Sequence, residues 1–144
     1  MGKIDKLADH IGQGLGAALD AQNLSLRLAI LFGSVSRGTE RPDSDIDVAI
    51  LPASPEFSLK DELALQGRLA RNCGREVDLV RIDTASTLLA WHIAYDAVRL
   101  IGTPNDFARF RASAALNYFD YAPLAERAAL EYARAVREQS GVAI

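Results

Sequence analysis

The sequence predicts a small α/β (α+β) domain, a mixed sheet of three to four short strands flanked by helices, with a helical C-terminal half. Three observations lead there. Runs rich in Val, Ile and Leu at residues 26–32, 46–51 and 76–82 read as strands. Longer stretches with apolar residues at helical spacing precede, separate and follow them. The chain has 144 residues, 49% hydrophobic and 24% charged, which fits one domain able to bury a core without disulfides. We therefore expect a single unit over residues 1–144, with its core at 26–82 and a helical portion at 84–139.

Each element has its own signal. Ile4 to Gln22 predicts a helix, with Ile4, Leu7, Ala8, Ile11, Leu15, Ala18 and Leu19 at helical spacing. Gly12, Gly14 and Gly16 weaken it by about 1 kcal/mol each relative to alanine. They mark either close packing against a neighbour or a frayed middle. Leu26 to Phe32 (LRLAILF) reads as a strand buried on both faces, and Ile46 to Leu51 as a second, ended by Pro52. Leu59 to Asn72 predicts a helix using Leu59, Leu63, Leu69 and Cys73 as apolar positions, with Gly74 as its stop. Glu76 to Ile82 is the third strand. Thr84 to Ala97 reads as helix, capped by Asp83 or Thr84. Val98 to Ile101 is a short apolar stretch. Pro104 suits the first turn of a helix through about Tyr121. Pro123 should break it, and a last helix should follow from Leu124 to Gln139, with Leu124, Ala128, Tyr132 and Val136 in one row.

Composition excludes several function classes. No apolar run approaches the roughly 20 residues that span a bilayer. Residues 1–9 lack a signal-peptide core. Cys73 is the sole cysteine, so no disulfide can form within the chain and an intracellular, reducing setting is allowed; the expected location is the cytoplasm. One cysteine and two histidines cannot build a conventional zinc site. The net charge of -3 argues against direct nucleic-acid binding, which wants a basic face. Thirteen of the 16 basic residues are arginine, a bias that suits planar contacts to phosphate or partner and that a G+C-rich genome would also produce.

The informative stretch is residues 33–47, GSVSRGTERPDSDID, between the first two strands. Gly33 lets backbone N–H groups approach an anion, and the Ser34 hydroxyl adds a donor. Asp45 and Asp47 are two apart at a strand start, so their carboxylates share a face. Such a pair repels itself, a cost that a divalent cation removes. Mg²⁺ is the fitting ion, because it combines carboxylates with substrate phosphate oxygens. Asp78, between Val77 and Leu79, supplies a third acid if its strand lies beside the second. Two acids on one strand and one on the next suit two-metal phosphoryl or nucleotidyl transfer. The lysine of a Walker A loop is missing, and no GxGxxG occurs.

Gly33-Ser34, ten residues, then Asp45-Ile46-Asp47 resembles the GS-x10-DxD signature of the polymerase-beta-like nucleotidyltransferase superfamily. The short length is similar to its minimal branch, the MntA-type antitoxins and protein adenylyltransferases. Arg37-Gly38, Pro42-Asp43-Ser44 and Val77-Asp78-Leu79 extend the likeness, which firmly covers residues 26–82. The resemblance implies a nucleotidyltransferase fold in which Asp45, Asp47 and Asp78 are catalytic and bind two Mg²⁺ ions. Gly33 and Ser34, with Arg37, would grip the phosphates of ATP. It further implies AMP transfer to a tyrosine hydroxyl of a HepT-like, HEPN-domain RNase toxin in a hetero-oligomer, neutralising the toxin.

Two other readings compete. A small-molecule nucleotidyltransferase, acting for example on an aminoglycoside, carries a larger acceptor-holding half than 144 residues allow. A non-catalytic binding antitoxin has no use for three mutually repelling acids. Individual residues also carry alternatives. Arg37 contacts a triphosphate oxygen or the acceptor, or else neutralises Asp43 or Asp45. Asp43 and Arg41 read as solvated turn charges. Arg81 reads as an outward strand residue. Trp91 and Tyr95 are i,i+4 partners for packing, with His92 on another face. His10 reads as surface and Cys73 as inert. The C-terminal aromatics either pack on the sheet or offer a face to a partner, rimmed by Arg109, Arg111, Arg127, Arg134 and Arg137.

Overall fold

A computed structural model describes residues 2–38 and 45–140. Among these residues nine elements follow in order: α1 (Lys3–Gln22), β1 (Leu26–Phe32), α2 (Gly33–Arg37), β2 (Ile46–Pro52), α3 (Leu59–Cys73), β3 (Val77–Arg81), α4 (Thr87–Tyr95), β4 (Val98–Ile101) and α5 (Pro104–Ser140). The strands form one mixed sheet in the order β3-β2-β1-β4. β1 runs antiparallel to both β2 and β4, and β2 runs parallel to β3. The expected mixed sheet with a helical C-terminal half is what forms, and the short apolar stretch at 98–101 is its fourth strand.

Strand parity sorts the core into two layers. Ala29, Leu31, Ile46, Val48, Ile50, Val77 and Leu79 face α1 and α3, whose Ile11, Leu15, Leu65 and Leu69 complete that core. Leu28, Ile30 and Ala49 face the other way and meet Ile93 of α4, with Phe107 and Phe110 of α5 alongside. Burial on both faces explains why β1 and β2 read as continuous apolar runs.

The local chemistry of the helices is legible. α1 and α3 pack tightly at Gly14, where a Cβ would lie 3.3 Å from the Asn72 side chain, and Asn72 Nδ2 donates to the Gly14 carbonyl at 2.9 Å. Close packing is thus the role of Gly14, whereas nothing comes within 4 Å of a Cβ at Gly16. α3 opens with a capping box: the Ser58 hydroxyl accepts from Asp61 N–H at 3.1 Å, and Ser58 N–H donates to the Asp61 carboxylate at 2.9 Å. Gly74 closes it in the left-handed conformation, as expected.

Three expectations need correction. The core row of α3 is Leu65 and Leu69; Leu59 and Leu63 are exposed. α4 starts at Thr87 with Ser86 as its cap, the Ser86 hydroxyl accepting from Leu89 N–H at 3.2 Å. Asp83 and Thr84 lie before that start, and the Asp83 carboxylate accepts from the Arg81 guanidinium at 3.1 and 2.8 Å. Pro123 does not end a helix: α5 is continuous over 37 residues with the proline inside it. A single proline forfeits one backbone bond, and the alanines at 122, 125, 128 and 129 carry helix through on both sides.

Candidate active site

The end of β1 and the starts of β2 and β3 meet at one edge of the sheet. Phe32 is the register partner of Asp47 on β2, and Asp47 is the register partner of Asp78 on β3. Register partners project to the same face, so Asp47 and Asp78 stand side by side, with about 4.8 Å between their strands. Asp45 immediately precedes β2 and shares their parity. Ile46, Val48, Val77 and Leu79 are buried on the opposite face. The apolar residues thus fix the face from which the acids project.

Gly33 begins α2 with φ +80°, a left-handed value that glycine accepts readily. A Cβ there would collide with the Asp47 carboxylate, with Cγ only 3.3 Å away. The absent side chain is therefore what lets the turn and the carboxylate meet. Ser34 follows on the first turn of α2, half-buried. Ser36, which sequence reasoning passed over, is buried and donates to the Gly33 carbonyl at 2.8 Å, holding the turn. Arg37 pairs with Asp96, at the C-terminal end of α4, at 3.1 Å. Asp43 and Arg41, and the Pro42-Asp43-Ser44 approach, lie outside the described residues.

The electrostatics follow from this placement. Burial pushes the Asp47 carboxyl above its ordinary range; the neighbouring charges of Asp78 and Asp45 push the same way, and Arg37 opposes them. Among the described residues, no group of three or more His, Cys, Asp or Glu side chains converges into a metal-holding cluster. The acids share a face and a repulsion without forming a closed cage. Their chemistry fits Mg²⁺ in its usual mode, one or two carboxylates with substrate phosphates and water completing the shell.

Beside the turn is a cleft of about 500 Å³. Gly33 contributes to its wall together with Phe32, Arg37, Trp91, His92, Tyr95 and Asp96. Trp91 stacks on Tyr118 of α5, with ring centroids 4.7 Å apart and planes 6° apart, and tilts against Tyr95 at 5.7 Å. The i,i+4 pairing of Trp91 and Tyr95 is as expected, but His92 lines the same cleft as both. The signal that would have found Asp96 is weak, because 59 residues separate it from Arg37. Arg81 is placed by structure alone: besides Asp83, it donates to the Phe57 carbonyl at 3.1 Å and lies over the Phe57 ring.

The chain belongs to the family described as "Polymerase beta, Nucleotidyltransferase", whose model matches residues 18–106. Within that family its likeness is to the MntA type. It is 38% identical over 81 residues to the protein adenylyltransferase MntA of Shewanella oneidensis, covering 56% of this chain and 58% of that protein. The chain thus aligns with little more than half the length of that relative. A toxin–antitoxin crystal structure with AMP-PNP superposes with a TM-score of 0.71 at 28% identity, over 85% of this chain and 98% of that one. A complex of a tri-AMPylated Shewanella oneidensis HEPN toxin with its MNT antitoxin gives 0.66 at 25% identity, over 86% and 96%.

Among the described residues, no helix is long and apolar enough to cross a membrane.

Proposed function

We propose that this chain is a Mg²⁺-dependent protein adenylyltransferase that moves AMP from ATP to a tyrosine hydroxyl of a HepT-like HEPN-domain toxin. In this reading it is the antitoxin of a toxin–antitoxin pair. The carrying observation is the register: Asp47 pairs with Asp78 in parallel strands and with Phe32 in β1, beside a glycine that has no room for a side chain. Membership of the nucleotidyltransferase family supports the chemistry. The choice of acceptor rests on relatives described as an adenylyltransferase and as a complex with an AMPylated HEPN toxin.

In this mechanism Gly33 and Ser34 offer the turn's donors to the distal phosphates of ATP. Arg37 adds a cation beside them, anchored by Asp96. Asp45 and Asp47 would hold Mg²⁺, with Asp78 completing the acid set from β3. When bound, Mg²⁺ polarises the α-phosphate, neutralises the departing pyrophosphate and lowers the acceptor hydroxyl's pKa. The tyrosine hydroxyl gives up its proton to water as its oxygen bonds to the α-phosphorus, the bond from that phosphorus to the bridging oxygen breaks, and pyrophosphate leaves.

A protein acceptor needs a surface to hold it. From residue 116 onward α5 leaves Leu116, Phe119, Leu124, Leu130 and Tyr132 between 63% and 73% exposed, and we seat the toxin there. Arg127, Arg134 and Arg137 lie on the same stretch of helix. Aromatic and arginine side chains are favoured at such interfaces.

The test is the intact mass of the partner toxin after incubation with this protein, ATP and Mg²⁺, beside an Asp45→Asn/Asp47→Asn control. Gain of one or more AMP units, lost in the control, is expected. A tight complex without any mass change would replace the transferase by a binding antitoxin.

A further inference from the structure

We propose that the cleft between the end of β1 and α4 receives the heterocyclic base of the nucleoside triphosphate, with Tyr95 and Trp91 as its aromatic surfaces. This rests on the nucleotidyl-transfer reading above and adds to it where the nucleoside goes. Position is the first argument. Gly33 belongs both to the phosphate turn and to the wall of the cleft, so a triphosphate on the turn has its remaining part at the cleft's mouth. Asp78 stands on β3, whereas the cleft adjoins β1, with β2 between them in the sheet. A base in the cleft therefore leaves the Asp78 side open for the acceptor.

Size and lining agree. At about 500 Å³ the cleft falls within the roughly 300–1,000 Å³ of small-molecule sites. Clefts near Leu51 and near Phe57, of about 280 and 300 Å³, carry one aromatic ring each. This one carries Phe32, Trp91 and Tyr95 together. Stacking of Trp91 on Tyr118 fixes the indole from the α5 side, while Tyr95 is held against Trp91 yet 66% exposed. A pre-positioned ring open to solvent suits a planar heterocycle, whose π-face stacks whatever its identity. The polar groups of the cleft are Arg37, His92 and Asp96. The Arg37–Asp96 pair holds a cation beside the turn, where the sugar-phosphate link leaves it.

Trp91 is the chain's single tryptophan, so its emission reports on the cleft directly. The experiment titrates the full chain with AMP-PNP and with inorganic tripolyphosphate, both with Mg²⁺, following Trp91 fluorescence and, in parallel, calorimetric binding. We expect AMP-PNP to quench Trp91 saturably and tripolyphosphate to bind without quenching. Tyr95→Ala should weaken AMP-PNP about tenfold, within the range for loss of one stacking ring. It should leave tripolyphosphate affinity unchanged, and Tyr95→Phe should restore the nucleotide affinity. Tyr95 is exposed, so these variants keep the fold, which an unchanged melting temperature verifies. AMP-PNP that binds wild type and Tyr95→Ala equally, with unaltered emission, would overturn the proposal and leave the nucleotide reading standing. AMP-PNP that does not bind at all would overturn both.

Discussion

Gly33 and Asp47 constrain each other at the level of single atoms. The glycine's left-handed φ and the carboxylate lying where its Cβ would be are two separate demands for the same residue. Gly33→Ala should therefore cost about 1–2 kcal/mol from the backbone alone, and more from the displaced carboxylate. Urea denaturation measures the two together. AMP transfer should fall by more than the stability loss explains, because Asp47 must move. A Gly33→Ala chain with full activity would show that the contact is incidental. Asp47→Asn should cut transfer at least about 100-fold, since Lewis-acid stabilisation contributes several kcal/mol and each tenfold is about 1.4. At this scale the sequence was most readable where spacing is local. Gly33, Asp45 and Asp47 sit within 15 residues, and strand alternation alone aligns the two acids. The partner of Arg37 was not readable, because Asp96 arrives from α4 by tertiary packing. The charge partners offered for Arg37 within the chain, Asp43 and Asp45, are only those nearby in sequence.

Periodicity identified the elements, but not always the face that each buries. In α3, Leu59 and Leu63 fit a helical row as well as Leu65 and Leu69 do, yet only the second pair meets α1 and the sheet. Two candidate stripes on one helix cannot be ranked without knowing what lies opposite. α5 shows the reverse limit. Proline propensity argues for a break at Pro123, but an interior proline costs about 3 kcal/mol and does not by itself set a boundary. Beyond residue 118 the described side chains of α5 are mostly exposed, so this stretch gains little from packing within the chain. Pro123→Ala should then raise amide-exchange protection across residues 124–139 while barely moving the global melting temperature. A large global shift would mean that this half of α5 is coupled to the core. If the same half seats the toxin, Leu124→Asp and Leu130→Asp should leave folding unchanged and weaken the complex at least tenfold in calorimetry. Unchanged affinity would move the docking surface elsewhere.

For the whole molecule, the site makes stability depend on pH and metal in a way that other acids would mask. The folded chain holds the Asp47 carboxyl above its ordinary 3.8, chiefly through burial and then through Asp78 and Asp45. A raised carboxyl binds its proton more tightly folded than unfolded, so its contribution to stability falls as pH rises from 3.8 through the raised value. Asp83 and Asp106 act with the opposite sign. Hydrogen bonds from Arg81 and Arg27 hold them below their ordinary range, so what they contribute is lost as pH falls. The raw pH profile mixes these effects, whereas the difference between wild type and Asp47→Asn isolates one of them. In metal-free buffer at pH 7 the asparagine chain should melt at or above wild type, and the gap should close below about pH 4, where both are neutral. Saturating AMP-PNP with Mg²⁺ should invert the order. A ligand at 100 times its Kd adds about 2.7 kcal/mol, about 8 °C for a domain of this size, and Asp47→Asn should forgo most of it. An asparagine chain melting well below wild type without metal would assign the carboxylate a structural role. The acids would then no longer be a cost borne for binding, and the metal-site reading would lose its thermodynamic support.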